Sequence, residues 1–383
     1  MLTLIENGEV YAPEPRGRRS VLIFEGTIQQ VGEVDRRAVE SLRLDLDVID
    51  AAGGVVAPGL VDAHEHLLGG SGERGYASQT PEVYAGEIAS AGITTVVGCL
   101  GVDATTKTMP GLLAKAKGLK SEGLGAFVWT GGYGVPPATL TGSVREDIMF
   151  VEEIVGAGEV AISDARSTAP AARELARLVR DAHAGGMLSG KAGVTHFHVG
   201  EGEGRLRPLR TLIEEYETPP GWLYPTHVER SEELMREAID LARRGSFVDV
   251  DTVEEDLARW LRFYLEGGGD AARLTASSDA SINSPRTLLE QVRACVLEHG
   301  FAPEQVLPLV TSNPARVLKL DDRGRLAAGK AADVLVLRKG SLEIRDVIAG
   351  GRRLVKDGRV AFAEKFLEGS NRSVRLDGGK LSG

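Results

Sequence analysis

Apolar and polar positions follow one rhythm at the two ends of the chain and another in the middle. Near the N-terminus, Val21-Leu22-Ile23-Phe24 and Ile28-Gln29-Gln30-Val31 flank Glu25-Gly26-Thr27, which predicts two short strands joined as a hairpin. The style returns near the C-terminus, where Asp333-Val334-Leu335-Val336-Leu337 reads as a compact strand and Gly350-Gly351-Arg352-Arg353-Leu354-Val355 as another. Two β-rich ends around a different middle predict one small β-domain assembled from both termini.

From about Val55 to Asn313, short apolar runs alternate with helical patterns. Eight candidate strands appear: Val55–Val61, Thr94–Gly98, Phe127–Thr130, Val160–Ile162, Val194–His198, Leu223–Thr226, Phe247–Val250 and Leu274–Ser277. Amphipathic runs such as Ala171–Ala182 and Ser231–Arg244 lie between several of them. Eight strand-helix units over roughly 250 residues match the size of an α/β protein of the (β/α)8, or TIM-barrel, type. A doubly wound open sheet is the competing architecture. The barrel is preferred because metal-liking side chains recur at the C-terminal ends of the candidate strands, where barrel active sites are built. The expected division is 1–54 with 320–383 as the small domain and 55–319 as the barrel.

Composition narrows the function classes. Of 383 residues, 42% are hydrophobic and 26% charged, ordinary for a globular enzyme, and the net charge of -10 gives nucleic acid or an anionic membrane little to hold. Only two cysteines, Cys99 and Cys295, point to a reducing compartment and a core without staples. The segment from Met1 to Asn7 carries neither a basic region nor a long apolar run, so the expected location is the cytoplasm without a signal peptide.

The chemistry concentrates at strand ends. Pro58-Gly59-Leu60-Val61-Asp62-Ala63-His64-Glu65-His66 runs an apolar strand straight into His-x-His, and alternate residues of an extended segment point the same way. With only seven histidines in the chain, this placement marks His64 and His66 as candidate ligands of one metal. A second pair, His196 and His198, ends the run from Val194; His198 is the candidate ligand if His196 faces another layer. His227 follows Leu223–Thr226. Asp279 follows Leu274–Ser277, where a lone Asp is commonly a helix N-cap. The series His-x-His, His, His, Asp at strands one, five, six and eight puts all of them at one barrel face.

That order resembles the amidohydrolase superfamily. The Pro-Gly-Leu-Val-Asp-Ala-His form and the tail Gly324-Arg325-Leu326-Ala327-Ala328-Gly329-Lys330-Ala331-Ala332-Asp333 are similar to members carrying a small β-sandwich domain. Within it the chain looks most like isoaspartyl (β-aspartyl) dipeptidases. The matching stretches are Gly70–Glu73, Thr80–Val83, Val96–Gly98, Thr130–Tyr133, Thr141–Val144, Ile162–Ser167 and Pro225–Arg230. The resemblance implies two divalent ions, usually zinc, that share a hydroxide. His64 and His66 would hold the more buried ion, His198 and His227 the outer one, and Asp279 would bind the buried ion and act as general base. It further implies that Glu73 takes a free α-amino group, that Arg166 and Arg230 grip carboxylate, and that Tyr133 hydrogen-bonds the developing oxyanion. A small dipeptide or amide is the implied substrate, and a homo-oligomer the implied assembly.

The chain departs from that pattern in three places. Glu159 stands where the family has a bridging carboxylated lysine, and its reach is shorter by roughly 3–4 Å at ordinary bond lengths. Either the strand or the metals must shift, or the bridge is lost; Lys191 is not at that place. Val102 replaces a polar residue that contacts substrate. After Asp279 the chain passes through Ala280–Pro285 directly into a helix, where relatives carry a longer enclosing segment. A different amide, such as an N-acyl amino acid or a cyclic amide, is therefore the alternative substrate class, and a catalytically silent scaffold is the reading from another class.

Overall fold

The structure is a computed structural model that describes all residues except Met1, Ser71, Ile282, 372–375, 378–379 and 382–383. Ser71 of the Gly70–Glu73 stretch and Ile282 of the segment after Asp279 therefore lie outside the described residues.

Eight parallel strands carry the middle of the chain: β1 (Leu60–Glu65), β2 (Ile93–Gly98), β3 (Gly125–Thr130), β4 (Ile154–Ile162), β5 (Thr195–Val199), β6 (Leu223–Thr226), β7 (Val248–Asp251) and β8 (Leu274–Ser277). Helices follow them in turn: α1 (Ala85–Ser90), α2 (Met109–Glu122), α3 (Val144–Phe150), α4 (Ala172–Ser189), α5 (Arg207–Glu215), α6 (Glu232–Arg243), α7 (Leu257–Glu266) and α8 (Arg286–Leu297). The ladder from β1 to β6 is continuous, and β7 pairs β8. The sheet curls until its ends meet: His66 N donates to Ala280 O at 2.9 Å, and Asp279 N to His64 O at 3.1 Å.

Alternation explains the layering. Val96, Ala126 and Val128 belong to the cluster that includes Leu112, Leu175 and Met235 of the helices. Their neighbours Val97 and Trp129 belong to the cluster inside the curl, and partly buried Phe127 packs against it. Such two-sided burial is what gives parallel strands their nearly continuous apolar runs. Helix ends follow local chemistry. Thr108, Ser143 and Ser231 cap α2, α3 and α6, their hydroxyls accepting from Gly111 N, Glu146 N and Leu234 N. Gly123, in the left-handed region at φ 109, ends α2.

Both chain ends build a second, nine-stranded sheet with its own core of Ile5, Val10, Val21, Ile23, Ile28, Val334, Val336 and Ile348. The expected hairpin is present, with Pro15–Phe24 antiparallel to Thr27–Gly32. Two strands not anticipated, Leu2–Tyr11 and Leu46–Asp50, pair parallel to each other. The expected strand Val55–Val61 divides at Gly59. Val55–Pro58 joins the terminal sheet, antiparallel to Val334–Leu337, while Leu60 begins β1. Gly59 permits this handover because a β-carbon there would fall 2.2 Å from Thr94 Oγ1. The expected strand Val160–Ile162 is only the end of a nine-residue β4. Among the described residues, no helix is long and apolar enough to cross a membrane.

Gly59→Val should lower stability by about 1–3 kcal/mol, because the overpacked branch presses on a fully buried threonine. Thermal unfolding checks this; an unchanged Tm would mean that the joint between the two sheets is looser than described.

Candidate metal centre

At the C-terminal ends of the strands, one carboxylate lies among four imidazoles. Glu159 Oε2 is 3.4 Å from His64 Nε2, 3.2 Å from His198 Nδ1 and 3.9 Å from His227 Nε2, and Oε1 is 3.5 Å from His66 Nε2. Asp279 Oδ1 approaches the first pair, 3.4 Å from His64 Nε2 and 3.2 Å from His66 Nε2. The short side chain reaches the centre because β4 is irregular beside it. Between Thr195 and Phe197, β5 advances two residues, while β4 advances three, from Ala157 to Val160. Such a bulge bends a strand and re-aims a side chain. Of the alternatives left open by the shorter side chain, the strand is the part that is shifted.

Hydrogen bonds around the site orient His64, His198 and His227. His196 Nδ1 faces Tyr224 O at 2.9 Å, and a carbonyl only accepts, so this nitrogen carries a proton. Burial holds His196 neutral, with its pKa well below the ordinary value. Its Nε2 therefore accepts from His64 Nδ1, 3.1 Å away, and His64 turns its Nε2 toward Glu159 and Asp279. The His196 ring stacks on Trp129, whose Nε1 donates to Ala63 O at 3.0 Å. His196 is thus a support, in a layer below the ligand face, and His198 is the member of that pair that meets Glu159. On the other side, His227 Nδ1 donates to Asp251 Oδ2 at 2.6 Å, leaving Nε2 for the centre. His198 Nε2 faces both Asp164 Oδ2 at 3.1 Å and Arg166 Nη2 at 3.0 Å, which holds the ring with Nδ1 toward Glu159.

The electrostatics are mutual. Burial opposes charge on His227, but the Asp251 and Glu159 carboxylates reverse this and raise its pKa to about 9. His64 and His66 move up in the same direction, against burial, with Cys99 and Asp279 among the causes. Burial alone would push Glu159 and Asp279 up, yet the imidazoles hold both below the usual carboxylate range. A field that draws protons to these nitrogens also draws a divalent cation. Two buried ligand-type atoms, His64 Nε2 and Glu159 Oε1, have no hydrogen-bond partner. Orphaned imidazole and carboxylate donors at the meeting point of three His/Cys/Asp/Glu groups fit metal ions. Backbone strain marks the same place, since His227 and Asp279 sit in the left-handed region at φ 62 and 48.

The remaining expected residues form a rim. Tyr133 Oη lies 2.8 Å from His198 Nδ1, and burial, followed by Glu159, keeps its hydroxyl protonated by raising the pKa well above 10.0. Asp164 grips Arg166 with two oxygens, at 2.9 Å to Nε and 2.8 Å to Nη2, and stands 3.9 Å from Arg230 Nη1. Arg166 Nη1 also meets Glu73 Oε1 at 2.6 Å, so two residues expected to bind opposite ends of a substrate are paired with each other. Lys191 lies elsewhere, its ammonium donating to Ile148 O at 2.8 Å.

Three participants were not anticipated. Asp164 falls in a stretch already singled out but had no role. Asp251 closes β7 one residue beyond the expected strand end, at the ligand face. Cys99 directly follows β2, and its scarcity in the sequence was the available signal.

Two outcomes test the centre. Glu159→Ala should lose at least one ion per chain by elemental analysis, and unchanged stoichiometry would remove the glutamate from the donor set. His196→Leu should weaken metal retention by about 10- to 100-fold in a chelator competition, because His64 would lose the acceptor that fixes its tautomer.

Comparison with known proteins agrees with this geometry. Residues 55–354 match the amidohydrolase family. Adenine deaminase 2 of Agrobacterium fabrum (strain C58) is 26% identical over 339 residues, covering 82% of this chain and 50% of that protein. The chain spans about half the length of such deaminases. Dihydroorotase of Ligilactobacillus salivarius is 24% identical, covering 100% of this chain and 99% of that one. Among solved structures, β-aspartyl dipeptidase of the thermophilic, keratin-degrading Fervidobacterium islandicum AW-1 superposes with a TM-score of 0.91 at 39% identity, covering 95% of this chain and 99% of that chain. Its complex with a β-Asp-Leu dipeptide gives 0.89 at 38% identity, with the same coverage. The family match over most of the chain, together with this near-complete superposition, shows that the protein belongs to the amidohydrolase family.

Proposed function

We propose that this protein is a metal-dependent hydrolase that cleaves β-aspartyl (isoaspartyl) dipeptides. The observation that carries the reading is the Glu159 carboxylate lying within 3.9 Å of all four imidazoles. The similarity to a dipeptidase solved with β-Asp-Leu supports the substrate class. In this reading the curled sheet is a (β/α)8 barrel that starts at Leu60 rather than at 55 and runs to 319, and the terminal sheet, with Val55–Pro58 in it, is the β-sandwich domain.

His64, His66 and Asp279 would hold the more buried of two zinc ions, His198 and His227 the outer one, and Glu159 would bridge them. When bound, the ions supply a water acidified to near-neutral pKa and polarise the scissile carbonyl. Asp279, kept ionised by its imidazole neighbours, takes the proton of the attacking water and returns it to the departing amine. Tyr133, kept protonated by burial, donates to the oxyanion. Arg230, whose nearest carboxylate is 3.9 Å away, is the more available guanidinium for a substrate carboxylate. A zwitterionic substrate inserts into the Glu73–Arg166 pair, giving its amine to Glu73 and a carboxylate to Arg166, so each charge exchanges one partner for another. The two free, buried cysteines favour a cytoplasmic location, and the family resemblance favours a homo-oligomer.

The full-length match to dihydroorotase keeps a cyclic amide or an N-acyl amino acid as a second reading. A turnover screen over β-aspartyl dipeptides and these amides, with zinc, manganese or cobalt supplied, separates the two. Turnover of a β-aspartyl dipeptide is expected, and its absence across the panel would remove the substrate class. Glu73→Gln should lower kcat/KM for the dipeptide by about 10- to 100-fold, the worth of one charge-assisted hydrogen bond, and leave N-acyl substrates untouched.

A further inference from the structure

His64, His66, His198, His227 and Asp279 are accounted for by the pattern of strand-end donors, and Glu159 by the family resemblance. One group at the same place is not. Cys99 is 1% exposed and directly follows β2. Its Sγ lies 3.6 Å from His66 Nδ1 and 3.9 Å from His66 Nε2. The ligand atoms of His64, His66, Cys99 and Glu159 all lie within 4.8 Å of one another. Two of them, His64 Nε2 and Glu159 Oε1, are fully buried without a hydrogen-bond partner. Buried donors left unsatisfied around a thiol are costly unless something else completes them.

The neighbourhood is built to admit that sulfur. Gly101, two residues on, packs directly on the His66 ring, where a β-carbon would come within 2.5 Å of His66 Cε1 and 3.5 Å of Glu159 Oε1. Gly101 also sits at φ 68, a conformation that favours glycine, so the turn after Cys99 folds back onto the ligands. The other cysteine gives the contrast. Cys295 lies in the outer apolar cluster with Leu288 and Val292, and it belongs to none of the described donor groups. The plainer role for Cys99 is a weak S–H bond to Glu65 O, 3.5 Å away.

We propose that Cys99 is a further ligand at the more buried metal position, binding as thiolate beside His64, His66 and Glu159. Binding forms a metal–sulfur bond, and the thiol proton leaves to solvent. A sulfur donor biases the position toward zinc, cobalt and cadmium and away from magnesium and manganese. The proposal rests on the metal-hydrolase reading and adds a donor to it.

The test is spectroscopic and uses the full-length protein loaded with cobalt(II). The wild-type protein should show a near-ultraviolet thiolate-to-cobalt charge-transfer band that is absent in Cys99→Ser and Cys99→Ala. Both variants should also hold zinc at least about 10-fold more weakly in a chelator competition. Cobalt d–d bands in the wild-type protein without the charge-transfer band would overturn the proposal and leave the metal-hydrolase reading standing. Failure to take up cobalt at all would overturn both. If neither variant folds, the wild-type spectrum alone decides.

Discussion

A buried carboxylate surrounded by imidazoles is the constraint on which the rest of the site depends. Glu159 has no exposed surface, and taking an ionised carboxylate out of water is expensive unless partners compensate it. The compensation comes from four imidazoles on three strands, each turned inward by a partner on its far side or by the strand that carries it. His196 orients His64, Asp251 orients His227, and Asp164 orients His198. Removing any of these outer partners frees a ring to rotate or change tautomer, so the centre is as well defined as its surroundings.

The same logic reaches the floor of the site. Asp249 accepts from Thr226 Oγ1 at 2.8 Å and Ser277 Oγ at 2.6 Å, and from Tyr224 at 3.3 Å. Burial still raises its pKa, so these bonds moderate the cost of an acid beneath a cationic centre without abolishing it. An acid inside the curled sheet is tolerable here because Asp249 finds hydroxyl partners on the neighbouring strands.

Much of this was legible in the sequence, for identifiable reasons. His64 and His66 were readable because a two-residue spacing at a strand end has one geometric meaning. Asp279 was readable because the same face recurs along the chain. Glu159 needed the family resemblance, and its reach could not be judged, because the bulge beside it depends on how β4 and β5 register. The pairing of Glu73 with Arg166, 93 positions apart, leaves no local trace. Asp251 escaped through a strand boundary read one residue short, which is where pattern reading is weakest. The handover at Gly59 escaped because two strands of different sheets share one apolar run.

The seam of the curled sheet has a consequence for how the protein is made. The ends of the sheet close where the metal donors stand, and Asp62 is held by Ser278 N, 216 positions later. A chain leaving the ribosome presents His64 and His66 early and Glu159 next, but Asp279 and the backbone partners at Asp279 and Ala280 arrive only after most of the curled sheet has been synthesised. Contacts of such high sequence separation form late. If the proposed metal centre holds, the incomplete chain would offer it few of its donors, tight capture would wait for the closing strand, and a bound ion would report that folding has finished.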